Sequence, residues 1–232
     1  MAKDKSEMRK MLILVVTTLF YIAFIITNLS TEDISYRWGI ISLVLSIVSF
    51  VFLLGFGNLK KYAKKPSRKL WLLQKDWVLD LIIGIIVGGA IYFVMILVPT
   101  FSLAVPTTPQ SLIFPEPFSV VGQVLTSVIS APLVEEVFFR TALFGLLFVI
   151  IGFGFWTSTI LSSLGFAFYH IYAYAGEISL SAIISVQTDF FVAFVVGVLI
   201  CIANYYRGSV STGMGIHGTL NGLLTFLSVV EF

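Results

Sequence analysis

Charged residues are scarce in this 232-residue chain. Aspartate, glutamate, lysine and arginine make up 11% of the sequence, hydrophobic residues make up 58%, and the mean hydropathy is +1.03. Soluble domains carry about 25% charged residues, which argues against a water-soluble fold. Several apolar runs approach or exceed the roughly 20 residues that cross a bilayer as a helix. The composition therefore predicts an all-α fold, a polytopic transmembrane helical bundle surrounded by the lipid bilayer.

The chain also lacks the features of several common function classes. It has one cysteine, Cys201, which rules out an internal disulfide framework and argues against redox chemistry. We find no CxxC, Walker or dinucleotide-binding motif, and nothing that suggests nucleic acid as a partner. The first apolar run is long enough to span the membrane and no small-residue cleavage site follows it, so we do not expect a secretory signal.

About seven spans, within a range of six to eight, can be drawn along the sequence. They cover 11–29, 39–57, 77–98, 118–150, 155–175, 181–204 and 209–231. The fourth span is long, and we expect a break near Pro132. In the third span, Gly84 and Gly88 form a GxxxG pattern that predicts a helix-packing notch.

The loops between the spans predict the topology. The junction 58–76 is rich in lysine and arginine, so the positive-inside rule places it in the cytoplasm together with the N-terminus. The junction 99–117 contains five prolines and predicts an irregular external loop. We accordingly divide the chain into N-terminal spans over 1–117 and a C-terminal core over 118–232.

Seven polar or ionisable residues interrupt the apolar runs of this core. They are Glu135, Glu136, Arg140, His170, Asp189, His217 and Asn221. A charge at the bilayer centre costs about 2.5–3.5 kcal/mol even on insertion scales, so such residues usually face the bundle interior and mark a site. Taken singly, a membrane histidine or asparagine is also explained as an interhelical hydrogen bond, and Asp189 as an interface residue. The combination, which includes both histidines of the chain, favours a site.

Helix geometry separates the two neighbouring glutamates. Consecutive residues of an α-helix point about 100° apart, so Glu135 and Glu136 cannot share a direction. Glu136 and Arg140 are i,i+4 neighbours and are predicted to form an ion pair. Glu135 is left without a local partner, so we interpret it as the chemical group and the pair as its structural support.

The other polar residues can reach Glu135 if the late helices pack together. Phe166 and His170 share one helical face, and so do His217 and Asn221. Glycines around the second pair would let another helix approach closely. We therefore expect Glu135, His170, His217 and Asn221 to converge on one buried polar pocket.

Three short motifs occur in order on separate late spans. The sequence EEVFFR fits EExxxR, FAFYH fits FxxxH, and HGTLN fits HxxxN. Over roughly residues 118–231 the chain resembles the CAAX protease and bacteriocin-processing family (CPBP or Abi), the type II CAAX prenyl endopeptidases. The resemblance implies an intramembrane endopeptidase in a prokaryotic cell membrane, with residues 118–232 as its catalytic core and a site that opens toward the cytoplasm.

The resemblance also implies roles for single residues. Glu135 matches the general base that acts on a water positioned by His170. His217 and Asn221 match the pair that stabilises the oxyanion, and the support of Glu135 falls to Glu136 and Arg140.

Members of the family have also been described as metalloproteases. Glu135, His170 and His217 could supply the three protein ligands that are usual for a catalytic zinc. Since there is no HExxH motif and each ligand would come from a different helix, we expect metal-independent glutamate chemistry and keep zinc as the alternative.

The expected substrate is a membrane-associated peptide or a prenylated CAAX-type protein. A bacteriocin self-immunity or peptide-processing protein of the same family is the first alternative. An ion or proton transporter would also use intramembrane acids and histidines, but transporters often carry matching repeats in both halves. Here the seven polar residues named above all lie in the second half of the chain, so transport is less favoured.

Overall fold

The computed structural model describes residues 75–97, 125–175, 184 and 187–230. The predicted spans 11–29 and 39–57, most of the basic junction and the proline-rich junction lie outside these residues, and the count of about seven spans stays a prediction. Within the described ranges all regular elements are helices, as predicted. They are α1 (Trp77–Leu97), α2 (125–151), α3 (Phe155–Ala175), α4 (Gln187–Arg207) and α5 (Val210–Val230).

Helix α2 alternates between two kinds of helical turn. Leu125–Ser130, Glu136–Leu143 and Leu146–Ile151 are π-helical, whereas Ala131–Glu135 is α-helical. The break predicted near Pro132 is wrong, because the helix continues through it. Pro132 stands where the π-helical turn Leu125–Ser130 gives way to the α-helical turn. The structure thus shows a change of helix type where the sequence predicted a break.

Glycine turns join the helices into two pairs. Gly152, with φ 90°, follows α2, and Gly208, with φ 67°, follows α4. Both are in the left-handed region, which glycine adopts without the steric penalty of a Cβ. The rings of Phe155 and Tyr205 are 4.5 Å apart, so the two turns lie at the same end of the bundle. Helix α3 packs on α4, and α5 packs on α1, α2 and α4.

Helices α1 and α5 approach each other through glycines. A Cβ on Gly84 would overlap the carbonyl oxygen of Thr212, and a Cβ on Gly88 would lie 2.8 Å from that of Ile216. Because these contacts advance in the same direction along both helices, α1 and α5 run parallel. The packing notch predicted from the GxxxG pattern is confirmed.

An ion pair joins the start of α1 to the end of α4. Arg207 Nε and Nη2 donate to Asp80 Oδ1 at 2.8 and 2.6 Å. The Asp80 side chain is 3% exposed and that of Arg207 is 39% exposed. Each charge also complements the dipole of its own helix end. The pair fixes the start of α1 beside the turn between α4 and α5.

The described bundle buries polar side chains and exposes large apolar ones. Glu136 and Arg140 are fully buried, whereas Ile86 and Trp156 are exposed. Exposed apolar faces of this kind suit a hydrocarbon surrounding, in which helices satisfy their own backbone groups. Helices α1 and α4 are each long and apolar enough to cross a membrane.

Candidate active site

Three helices bring Glu135, His170 and His217 together. Glu135 ends the α-helical turn of α2, His170 lies in α3, and His217 lies in α5. Glu135 Oε2 is 4.0 Å from His170 Nε2 and 3.7 Å from His217 Nε2. One ligand atom from each of the three lies within 4.8 Å of the others. The predicted convergence is therefore confirmed for these three residues, which we call the Glu–His–His cluster.

The cluster is largely buried. The side chains of Glu135 and His170 are 12% and 20% exposed, and that of His217 is 4% exposed. Glu136 and Arg140, directly behind Glu135 on α2, are both 0% exposed. Glu135 and His170 thus keep a small exposed fraction, although Glu135 Oε2 itself is buried, whereas Glu136 and Arg140 are fully enclosed by the bundle.

The predicted ion pair between Glu136 and Arg140 is present. Glu136 Oε2 lies 3.5 Å from Arg140 Nε. The guanidinium also lies 4.6 Å above the centre of the Phe166 ring, a distance at which cation–π attraction operates, and its Nη1 is 3.5 Å from Ser162 Oγ. These contacts hold an ion pair with no net charge inside the apolar bundle.

Glu136 has a second partner that the sequence analysis missed. His217 Nδ1 lies 3.2 Å from Glu136 Oε1, so the Nδ1–H donates to the carboxylate. The two glutamates therefore flank one imidazole, Glu135 at Nε2 and Glu136 at Nδ1, although α-helical geometry predicted different directions. The change from α-helical to π-helical turns falls between these two residues, and π-helical turns are frequent at functional sites.

Hydrogen bonds place a proton on Nδ1 of both histidines. His170 Nδ1 donates to the backbone oxygen of Phe166 at 3.0 Å, and His217 Nδ1 donates to Glu136. A neutral imidazole with a proton on Nδ1 carries a lone pair on Nε2. In that neutral form both lone pairs would lie beside Glu135 Oε2, which has no hydrogen-bond partner among the described residues. Three acceptors in one place require a shared donor, such as a water, or a cation.

The Glu–His–His cluster has the donor set of a metal site. Two neutral imidazole nitrogens and one carboxylate oxygen are the ligands of many catalytic zinc ions, which keep a further position open. Histidine ligands usually donate their other N–H to a carboxylate or a backbone carbonyl, as His217 and His170 do here. These three side chains could therefore hold a divalent metal ion.

Asn221 and Asp189 lie outside the Glu–His–His cluster. Asn221 is one turn beyond His217 on α5, and its Nδ2 donates to the backbone oxygen of Ser127 at 2.9 Å. This bond ties α5 to the first turns of α2. Asp189 lies in the first turn of α4 and is half-buried. A role for Asn221 at an oxyanion stays a prediction.

Two further residues support the site. The ring of Phe166 is nearly perpendicular to that of His217, with 5.5 Å between the two centroids. It also packs against the guanidinium of Arg140. Asn204, in α4, is fully buried and was missed by the sequence analysis. The signal that could have found it is its position as a lone amide within the apolar run of α4, since polar residues in membrane helices seldom lack a function.

A family model described as type II CAAX prenyl endopeptidase Rce1-like matches residues 117–223. That range includes α2, α3, α4 and the part of α5 that carries the site. Residues 117–223 match an Rce1-like domain. The resemblance stated from the three motifs is thereby confirmed, and the Rce1-like domain is a peptidase domain in a membrane protein. Neither the comparison with curated proteins nor that with solved structures gave a match.

Proposed function

We propose that the Rce1-like domain is an intramembrane endopeptidase that hydrolyses a peptide bond in a membrane-associated substrate. The observation that supports it is the Glu–His–His cluster, in which an unpartnered carboxylate oxygen lies beside two imidazole nitrogens. Peptide hydrolysis needs a nucleophilic water, a base for its proton and stabilisation of the tetrahedral oxyanion. The cluster can supply the first two requirements.

In this proposal Glu135 is the general base. A water between Glu135 Oε2 and His170 Nε2, which are 4.0 Å apart, gives one hydrogen to each. Glu135 takes a proton as the water oxygen attacks the scissile carbonyl, and it later returns that proton to the leaving amine. His170 holds the water through its Nε2 lone pair, and its own orientation is fixed by the bond to the Phe166 carbonyl.

Glu136 and Arg140 support His217 in this scheme. The carboxylate of Glu136 holds the His217 ring through Nδ1, and Arg140 balances its charge. With Nδ1 protonated, neutral His217 has no hydrogen on Nε2, so it donates to an oxyanion from Nε2 only as an imidazolium. The amide of Asn221 is the neutral donor on the same helix. A donor of this kind is typically worth about 2.7–4 kcal/mol.

The same residues define the alternative with a metal ion. Zinc held by Glu135, His170 and His217 would act as a Lewis acid on the scissile carbonyl and would activate a bound water. Glu135 would then be a ligand rather than a base. The tautomers of both histidines favour this alternative, while the missing HExxH motif and the three separate helices favour glutamate chemistry.

The proposal for the substrate rests on the family and on the topology. We infer that the substrate is a membrane-associated peptide, with prenylated CAAX-type proteins as one class. By the positive-inside rule we expect the basic junction 58–76, and with it the start of α1, on the cytoplasmic side. Processing of a bacteriocin or another unprenylated peptide by the same cluster is the alternative.

Cleavage by purified variants tests the role of Glu135. The substrates are a farnesylated CAAX peptide and a panel of unprenylated membrane peptides. We expect Glu135→Ala to lose about 10²–10⁴-fold in kcat, the usual contribution of a general base. Asp189→Asn, which neutralises another acid of the same domain outside the cluster, is the control and should keep its activity. Full activity of Glu135→Ala would show that the assignment is wrong.

A zinc chelator separates the two mechanisms. Cleavage that continues after chelation, by protein whose zinc content is below one equivalent, supports glutamate chemistry. Cleavage that stops on chelation and returns on addition of zinc makes Glu135, His170 and His217 ligands. In that case His170→Gln and His217→Gln should each lower the zinc content of the purified protein as well as its activity.

A further inference from the structure

Asn204 is a fully buried amide on α4 that belongs to none of the three motifs. Its Oδ1 accepts the backbone N–H of Gly213 at 2.7 Å. Gly213 lies in the first turn of α5, so this bond ties the start of α5 to α4. The helix that carries His217 is thus held in place by the oxygen of Asn204.

The amide nitrogen of Asn204 lies close to the second glutamate of the site. A Cβ on Gly213 would lie 2.7 Å from Asn204 Nδ2 and 2.7 Å from Glu136 Oε2. The two atoms can therefore be no farther apart than twice that distance. Both are buried and have no hydrogen-bond partner in the part of the chain that the structure describes.

A buried amide donor without an acceptor is costly, and native proteins seldom leave one so. Glu136 Oε2, which lies 3.5 Å from Arg140 Nε, can accept a hydrogen bond from the amide as well. Closing the remaining gap would let Asn204 Nδ2 donate to Glu136 Oε2. The other oxygen of Glu136 already accepts the Nδ1–H of His217. A planar amide suits this position, since it offers an acceptor for Gly213 and a donor for Glu136 on one rigid group.

We propose that Asn204 is a positioning residue for the peptidase reaction. It holds α5 through Gly213 and orients the carboxylate of Glu136, which in turn orients His217 in the Glu–His–His cluster. The effect on turnover rests on the proposed function. The effect on the His217 ring does not, so the two can be tested separately.

The two histidines of the chain allow a direct test. Because His170 and His217 are the only ones, protein labelled with ¹⁵N-histidine in detergent gives imidazole signals from the site alone. His170→Gln and His217→Gln assign the signals. Measurements at one fixed pH then report which nitrogen of each ring is protonated and how strongly it is hydrogen-bonded.

Two variants of Asn204 separate its two contacts. Asn204→Asp keeps the size of the side chain and the oxygen that accepts from Gly213, but replaces the amide nitrogen near Glu136 by an oxygen. Asn204→Leu removes both contacts. The control is Ser211→Ala, which removes a buried hydroxyl from the first turn of α5 that is paired with Ser209 at 2.6 Å.

We expect both Asn204 variants to shift the His217 nitrogen signals and to leave those of His170 in place, while Ser211→Ala shifts neither. On a peptide that the wild type cleaves, kcat should fall about 10–100-fold, the usual effect of residues that orient a site histidine, with KM within about twofold because the substrate is not touched.

Unchanged His217 signals in Asn204→Asp would overturn the proposal. So would equal shifts of both histidines in Asn204→Leu and in Ser211→Ala, since that pattern indicates general loosening of α5. If the wild type cleaves no peptide, the proposed function fails, and the His217 signals still decide the role of Asn204.

Discussion

Substitution by glutamine should lower the stability of the fold at Glu136 and the peptidase activity at Glu135. In Glu136→Gln, a carboxylate with 0% exposure becomes a neutral amide, and Arg140 is left buried without its counterion. In Glu135→Gln, the carboxylate that is lost is 12% exposed, and its Oε2 has no hydrogen-bond partner in the described chain. The first change should unfold the protein more easily, whereas the second should not.

The expected size of the difference follows from the burial of the pair. Removing one partner of a buried ion pair costs about 3–5 kcal/mol, because the other charge is left uncompensated. For a chain of this size 1 kcal/mol changes Tm by about 2–4 °C, so Glu136→Gln should lower Tm by roughly 6–20 °C. The stacking of Arg140 on Phe166 stabilises the guanidinium and favours the lower half of that range. Glu135→Gln should change Tm by less than about 2 °C, which is below 1 kcal/mol.

The chain offers a convenient probe for this measurement. Cys201 is its one cysteine and is fully buried in α4. A dye that fluoresces on reacting with a thiol therefore reports unfolding at a single place when the protein is heated in detergent. Peptide cleavage, followed in parallel, should be lost in Glu135→Gln even though that variant stays folded.

Two results would refute this reasoning. If Glu136→Gln unfolded at the wild-type temperature, the buried pair with Arg140 would not stabilise α2. If Glu135→Gln lost as much stability as Glu136→Gln, the distinction between an unpartnered and a paired carboxylate would be wrong.

Further predictions concern helix packing and use the same thiol dye. Gly84→Ala should lower Tm by roughly 2–12 °C, since its Cβ would overlap the Thr212 carbonyl and overpacking costs about 1–3 kcal/mol. Gly89→Ala is the matched control on α1, because a Cβ there meets nothing within 4 Å, and an equal loss would contradict the notch. Arg207→Gln should destabilise more than Asp80→Asn, because Arg207 reaches water when unpaired and buried Asp80 does not. A larger loss in Asp80→Asn would contradict this order.

The positions of the helices could be predicted well, because the apolar runs of this chain end at glycines or charges. The predicted spans 77–98, 155–175 and 209–231 differ from α1, α3 and α5 by at most one residue at either end. Helix α4 ends three residues beyond the predicted span, at Arg207. The sequence could not show that the carboxylate of Asp80 would hold that arginine on the last turn.

The site was predictable where single residues were out of place in an apolar run. Glu135 and the two histidines stood out for that reason, and the i,i+4 rule identified the partner of Glu136. The bond from His217 to Glu136 was not predictable, because it depends on π-helical turns that the sequence pattern does not encode. Asn204 required knowledge of which residue of α5 lies opposite it.

Phe166 has a consequence for how this peptidase could change its selectivity. Its carbonyl orients His170, its ring covers Arg140, and its edge contacts His217. A smaller side chain at position 166 would remove the contacts of the ring with the Arg140 guanidinium and the His217 imidazole. At Phe166, therefore, the size of the site and the reactivity of its histidines cannot vary independently.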